Sequence, residues 1–413
     1  MRGHRYKAIH FLLLIVTLIS LSACSEEPGK KAAEQNWEDI VAEARGQTVD
    51  WFMWGGSPAV NAYVNGYLAE QLKTHFDITL RQGPVQDIAE VVSKLVIEKQ
   101  AGKDKDGHVD LMWINGENFR TCKKNGLLYG PFADRLPNQR LVNWDRPSVA
   151  NDFGEPVEGL ESPWGSAQVV MIYDTARVPQ PPRTVGDLLK WIRSHPGRFA
   201  YPAPPDFTGS VFVRHIFYHV SGGAQRWQGP MDQAAFEQAA SDTYRVLKEL
   251  APFLWREGQT YPESPVRMNT LFADGEVDFS FSYHQAEASR NILDGFFPDT
   301  VRTYVFDEGT IANTHFVAIP FNAADTAGAM VVANFLLSPE AQLKKAAPDV
   351  WGDFPVIDPA RLPAEWRKRF DARPLGTATL SDTELQSRQL PEPPSEILIQ
   401  LEKGWQQHVL KGR

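Results

Sequence analysis

Residues 109–118 read Val109-Asp110-Leu111-Met112-Trp113-Ile114-Asn115-Gly116-Glu117-Asn118. Val109–Ile114 is apolar except for one aspartate and is short, so it predicts a buried strand. Asn115-Gly116 then breaks the run, and a helix follows. Upstream, Ile88, Val91, Val92, Leu95 and Val96 recur at helical spacing within Gln86–Gln100, behind a strand candidate at Ile78–Leu80. Further back, the apolar run Val49–Met53 closes in Trp54-Gly55-Gly56-Ser57-Pro58. Ser57 before Pro58 is a helix start, and the helix pattern runs to about His75. Strand and helix alternate three times, the signature of a parallel sheet covered by helices on both faces.

A second series lies downstream. Gln168–Tyr173 predicts a strand, Pro179–Pro182 breaks the chain, and Val185–Ser194 predicts a helix. Arg198–Pro202 is a short strand candidate, and Asp206–Ser210 opens a helix over Val211–Ser221. Met231–Leu250 is helical, Val277–Tyr283 and Thr314–Pro320 read as strands, and Ala324–Leu337 and Pro339–Ala346 as helices. No internal repeat appears. Two α/β units with a crevice between them is the expected architecture.

Composition bounds the function. The chain has 413 residues and a net charge of −9, although Arg2, Arg5 and Lys7 make its start basic. So acidic a body repels phosphate backbones, which excludes a general nucleic-acid binder. Residues 1–23 combine that basic start with an apolar run from Phe11 to Ile19, shorter than the roughly 20 residues a membrane span needs. This predicts a secretory signal. It ends in Leu21-Ser22-Ala23-Cys24, which is similar to a bacterial lipobox, so Cys24 is the expected lipidation site. Polar residues from Ser25 to Gln35 suit a tether, assigned to 24–44 as a whole. Cys122 is then the remaining thiol, a small packed residue on a helix.

Catalytic signatures are missing: Gly55-Gly56-Ser57-Pro58-Ala59 fails as a nucleophile elbow, and neither a dinucleotide fingerprint nor a phosphate loop occurs. His215 and His219 stand four apart without the glutamate of a zinc helix, so no metal and no cofactor are expected. Tryptophans fall instead at predicted strand ends: Trp54, Trp113 and Trp164, with Trp351 in a late loop. Ligands of open α/β sheets bind beyond the carboxyl ends of strands, where aromatic faces stack on rings or cations. Three helix-start turns add polar groups: Gly55, Gly56 and Ser57; Asn115, Glu117 and Asn118; Thr208, Gly209 and Ser210. Ser166 lies beside Trp164, Tyr283, His284 and Glu287 follow a strand, and Glu308 and Asn313 precede another. The carboxylates Glu117, Glu287 and Glu308 would favour a cationic ligand.

The order of these segments resembles bacterial ABC-transporter solute-binding proteins. The resemblance rests on Ser162-Pro163-Trp164-Gly165-Ser166-Ala167-Gln168-Val169-Val170-Met171-Ile172-Tyr173-Asp174, with Pro181-Pro182-Arg183-Thr184-Val185-Gly186-Asp187-Leu188-Leu189 after it. Pro196–Pro202, Asn313–Pro320 and Ala333–Glu340 continue it, over about residues 45–370. The chain looks most like the YnjB-like branch of that superfamily. The resemblance implies a two-lobed, type II periplasmic-binding-protein-like fold, each lobe a mainly parallel sheet flanked by helices. Lobe 1 would take 45–163 and 312–345, lobe 2 164–311 and 346–413. It implies a lipid-anchored monomer, outside the bacterial membrane, that closes on a small molecule and delivers it to a permease with a separate ATPase. A thiamine-like or polyamine cation suits the aromatic and acidic residues. An envelope hydrolase or transferase on the same scaffold is the alternative, and a sensory lipoprotein without a permease a third.

Overall fold

Val49, Trp51 and Met53 are buried while their neighbours along the strand are not, the alternation of a strand with one face on a core. The computed structural model describes residues 35–411. The signal segment and Cys24 lie outside the described residues. Strands in chain order are β1 (Thr48–Trp54), β2 (Thr79–Val85), β3 (Leu111–Ile114), β4 (Asn151–Asp152), β5 (Glu155–Pro156) and β6 (Glu161–Gln168). Next come β7 (Val170–Asp174), β8 (Phe279–Ser282), β9 (Val301–Tyr304), β10 (Thr310–Ala318) and β11 (Gln389–Pro391).

The first sheet runs β11-β10-β3-β1-β2, with β6 also on β10. β1 is parallel to β2 and β3, as the first series predicts. β10 returns antiparallel to β3 and β6, with a bulge between His315 and Phe316. The β6–β10 pair is the double crossing between the lobes. The second sheet, β8-β7-β9, is antiparallel in both pairings, which corrects the expectation of a mainly parallel second lobe. Its reason is local. Arg198–Pro202, read as a strand, stays outside the ladder: Pro202, Pro204 and Pro205 lack donors, and Trp255 and Asp278 N–H bond only the Phe199 and Arg198 carbonyls.

Each sheet has its own core. Val49, Trp51, Leu111 and Val317 pack with Met330 and Val331 of helix Thr326–Leu336, whereas Met171, Phe281 and Tyr304 pack with Leu188, Phe212 and Leu247. Trp351, Val356, Ile357 and Phe370 belong to the first cluster, but Ile397, Leu401 and Trp405 to the second. The stretch 346–413 is thus shared between the lobes. Helix Trp37–Ala44 buries Ile40 and Ala44 in the first cluster, so the end of the supposed tether belongs to the folded body.

Candidate ligand site between the lobes

Helix Phe207–Ser221 begins where the Asp206 carboxylate accepts the Gly209 N–H at 2.9 Å. Arg214, two turns in, is fully buried. Its guanidinium donates to Glu392 Oε2 at 2.8 Å, Tyr283 Oη at 2.9 Å and the Phe207 carbonyl at 3.3 Å. Tyr283 and Asn313 donate to the other oxygen of Glu392, at 2.7 and 3.1 Å. Burial raises the Glu392 carboxyl pKa while Arg214, Tyr283 and Asn313 pull it down, and the ion pair with Arg214 neutralises itself. Phe207 stacks on Tyr283 at 4.9 Å and stays 42% exposed. Across the lobe boundary its ring meets Phe153 at 6.1 Å, in the β4–β5 turn beside helix Gly116–Lys124. Asp152 of that turn accepts the Gly116 N–H at 2.6 Å.

The predicted turns fare differently. Trp54 is 38% exposed, its ring lying over Gly56, where a Cβ would stand 2.3 Å from the indole. Gly55 bonds the Val85 carbonyl and Ser57 only caps its helix. Asn115 donates to the Thr314 carbonyl at 2.7 Å, tying its turn to β10. Glu117 is half-buried beside Asn118; burial, then the nearby Asp87 charge, raises its carboxyl pKa, against the pull of Arg214. Thr208, Gly209 and Ser210 are buried, and Gly209 is required because a Cβ would lie 1.9 Å from the Pro202 carbonyl oxygen. Glu287 is held by Asn269 and Ser282, and exposed Glu308 caps helix Val185–Ser194 by accepting the Val185 N–H at 2.7 Å. Both carboxylates are engaged within the second lobe.

The crevice reading of Trp164 is corrected. It is fully buried, with its ring edge-on to Trp51 at 5.1 Å and Trp113 at 5.0 Å, and 5.2 Å from Trp351. Trp113, half-buried, also meets His315 at 4.9 Å. Beneath these rings Asp353 accepts from His315 at 3.0 Å and from Lys345. Burial works against the charge on Asp353, but Lys345 and His315 outweigh it and hold its carboxyl below the usual range. His284 stands 6.4 Å from His315, and burial lowers its pKa. Ser166 is spent on the Phe354 carbonyl.

Sequence reading missed Phe207, Arg214, Glu392 and Phe153. Glu392 had one signal, the prolines on both sides of it, which stiffen the segment. His215 bonds the Val211 carbonyl through Nδ1 and accepts the Ile311 N–H through Nε2, so both ring nitrogens are spent. Burial brings its pKa down to about 4, which keeps the ring neutral. Cys122 is buried, and burial pushes its thiol up to about 12, so it is no nucleophile. Among the described residues no group of three or more His, Cys, Asp or Glu could hold a metal ion, and no helix is long and apolar enough to cross a membrane.

Two sheets joined by a double crossing are the fold that this chain shares with solved substrate-binding proteins. The model of the bacterial extracellular solute-binding protein family matches residues 67–373, and the chain belongs to that family. It is 40% identical to Protein YnjB of Escherichia coli K12 over 363 residues, 88% of this chain and 91% of that one. Its fold is similar to the Treponema pallidum lipoprotein Tp0655 (TpPotD), with a TM-score of 0.62 and 13% identity over 87% of this chain and 98% of that. It is also similar to the spermidine/putrescine substrate-binding protein PotD of Streptococcus pneumoniae, with a TM-score of 0.58 and 16% identity over 87% and 99%.

Proposed function

We propose that the chain captures a small organic cation between its lobes and delivers it to a permease powered by a separate ATPase. The reading is carried by two exposed aromatic faces, Trp54 on one lobe and Phe207 on the other, together with Glu117, which shares Arg214 with Glu392. Aromatic faces and unbalanced carboxylates attract the same ligand, a cation. Each lobe supplies part of the contact set, so the ligand favours the closed arrangement by its differential affinity. The protein acts as a monomer and performs no chemistry on its solute. The name of the Streptococcus relative, a spermidine/putrescine binder, supports the cation class.

A thermal-shift screen of spermidine, putrescine, thiamine, sugars and oxyanions tests this. A cation at 100 times its Kd stabilises the fold by about 2.7 kcal/mol. Melting then rises by on the order of 5 °C. Trp54→Ala weakens that cation at least about tenfold, since a desolvated cation–aromatic contact is worth about 2 kcal/mol. Hits confined to sugars or oxyanions would show the cation class to be wrong.

The lipid anchor belongs to the same reading. We propose that residues 1–23 are removed and Cys24 is acylated, holding the body at the outer side of a membrane. The Leu21-Ser22-Ala23-Cys24 sequence supports it, as does the Treponema relative, a lipoprotein by name. Mass spectrometry is expected to find an acylated Cys24 at the mature N-terminus. A start elsewhere without acyl mass sinks this claim.

A further inference from the structure

β4 and β5 pair Asn151 with Pro156 and Asp152 with Glu155, which leaves Phe153 and Gly154 as a two-residue hairpin turn. Both lie in the left-handed region, at φ +46° and +78°. A hairpin this tight calls for Asn, Asp or Gly at its first central position, where a bulky aromatic residue is strained. Strain of that sort persists only where the surroundings over-determine it, and it gathers at clamps and switches. The base of the hairpin is fixed to the first lobe: Asp152 accepts the Gly116 N–H at 2.6 Å, and Lys123 pairs with Glu155 at 3.0 Å. Its tip faces the second lobe. The Phe153 ring meets Phe207 at 6.1 Å and the Arg214 guanidinium at 5.8 Å, and the Phe153 carbonyl accepts the Ser395 N–H at 3.2 Å. Gly154 lies against Pro394, whose Cγ a Cβ would meet at 3.3 Å. Phe153 is only 4% exposed, yet it belongs to neither lobe's core, so its burial comes from neighbours at the boundary.

The receiving side is equally defined. Ser395 opens helix Ser395–Trp405, whose Leu401 and Trp405 are buried in the second core. An N–H in the first turn has no partner inside its own helix. Pro393 and Pro394 carry no N–H at all, so residues 393–395 offer one backbone donor, and the strained turn supplies its acceptor. A second contact beside it crosses the same boundary, the Arg120–Glu396 ion pair at 3.6 Å.

We propose that the Phe153–Gly154 turn is a latch that docks the first lobe on the second, and that Phe153 is the positioning residue for the Phe207 ring. Docked, the turn holds the lobes together and sets the fraction of molecules ready to bind. Undocked, the lobes swing on the β6–β10 crossing and that fraction falls. Docking is independent of what the solute is; only the calorimetric readout below rests on the cation reading.

Two substitutions undo the latch from opposite sides. Phe153→Gly removes the ring and suits a positive φ. Ser395→Pro removes the donor at the first helical position, where proline is well tolerated, so the fold stands. Ser395→Ala keeps the N–H and is the control. Small-angle scattering without solute is expected to give a larger radius of gyration for Phe153→Gly and Ser395→Pro, and the parent's value for Ser395→Ala. Hydrogen exchange at the Ser395 amide should be at least about tenfold faster in Phe153→Gly, since the bond that protects it is made across the boundary. Calorimetry with spermidine as probe should show both variants about tenfold weaker, as when the binding-ready fraction falls from most molecules to about one in ten. The parent's radius in Ser395→Pro, or the parent's exchange at Ser395 in Phe153→Gly, overturns the latch. A lower melting temperature with radius and exchange unchanged also overturns it and leaves Phe153 a packing residue. If radius and exchange change as stated but neither spermidine nor thiamine binds the parent, the latch stands and the cation reading falls. If spermidine binds the parent and both variants equally, the cation reading stands and the turn has no part in capture.

Discussion

Arg214→Ala is expected to lower the free energy of unfolding by about 3–5 kcal/mol, because it leaves a buried carboxylate without its cation. Glu392 is nearly inaccessible, and its remaining donors, Tyr283 and Asn313, are neutral. The same substitution also removes the floor under Phe207, whose ring the guanidinium faces at 5.2 Å. Urea unfolding should show the midpoint falling with little change in slope, the mark of lost stability in an otherwise similar fold. Removing both charges is a different case. Arg214→Met with Glu392→Gln leaves no buried unpaired charge, and most of the loss should return. A single Arg214 variant as stable as the parent would mean that water reaches Glu392, contrary to its burial.

Trp164→Ala is the second large effect, again about 3–5 kcal/mol, from the removed indole and the cavity left among Trp51, Trp113 and Trp351. Its melting temperature should fall steeply, and Trp164→Phe should recover part of that. Trp54→Ala supplies the contrast, since an exposed ring costs little stability when removed, within about 0.5 kcal/mol. One tryptophan thus holds the first lobe together, and the other is the one proposed to meet the solute. If Trp164→Ala melts with the parent, the cluster is looser than its ring distances indicate.

Why the sequence separates these two poorly is a matter of geometry. Both sit at a predicted strand end followed by glycine, and both read as crevice residues. β6 is buried almost along its full length because β10 pairs with it, and Trp51, Trp113 and Trp351 pack around Trp164, which has no solvent side. That cover comes from residues 310–318, far along the chain, and no local pattern announces it. The first lobe was legible because its elements carry their own signals: alternating burial in β1, a Ser57-Pro58 start, and Val91, Val92 and Leu95 on one helical face. The turn that carries Glu117 was legible for the same reason, being placed by the strand just before it. Arg214 was not. Within Val213-Arg214-His215-Ile216 it reads as a charge at a helix edge, and its partner Glu392 is 178 positions away. Glu308 misled because a cap supplied from another segment resembles a free acidic side chain until the segments are placed together.

That distance between Arg214 and Glu392 also sets a timetable. β1, β2 and β3 are synthesised early, yet the strand that flanks β3 arrives with residues 310–318. The second lobe waits longer still, since Glu392, Leu401 and Trp405 come well after residues 310–318. Contacts of such sequence separation make folding slow, because a long loop must close before they reward it. Under the export proposed above the delay is useful: a nascent chain whose cores lack their final pieces stays open during the crossing, and its own residue order keeps it from folding on the wrong side.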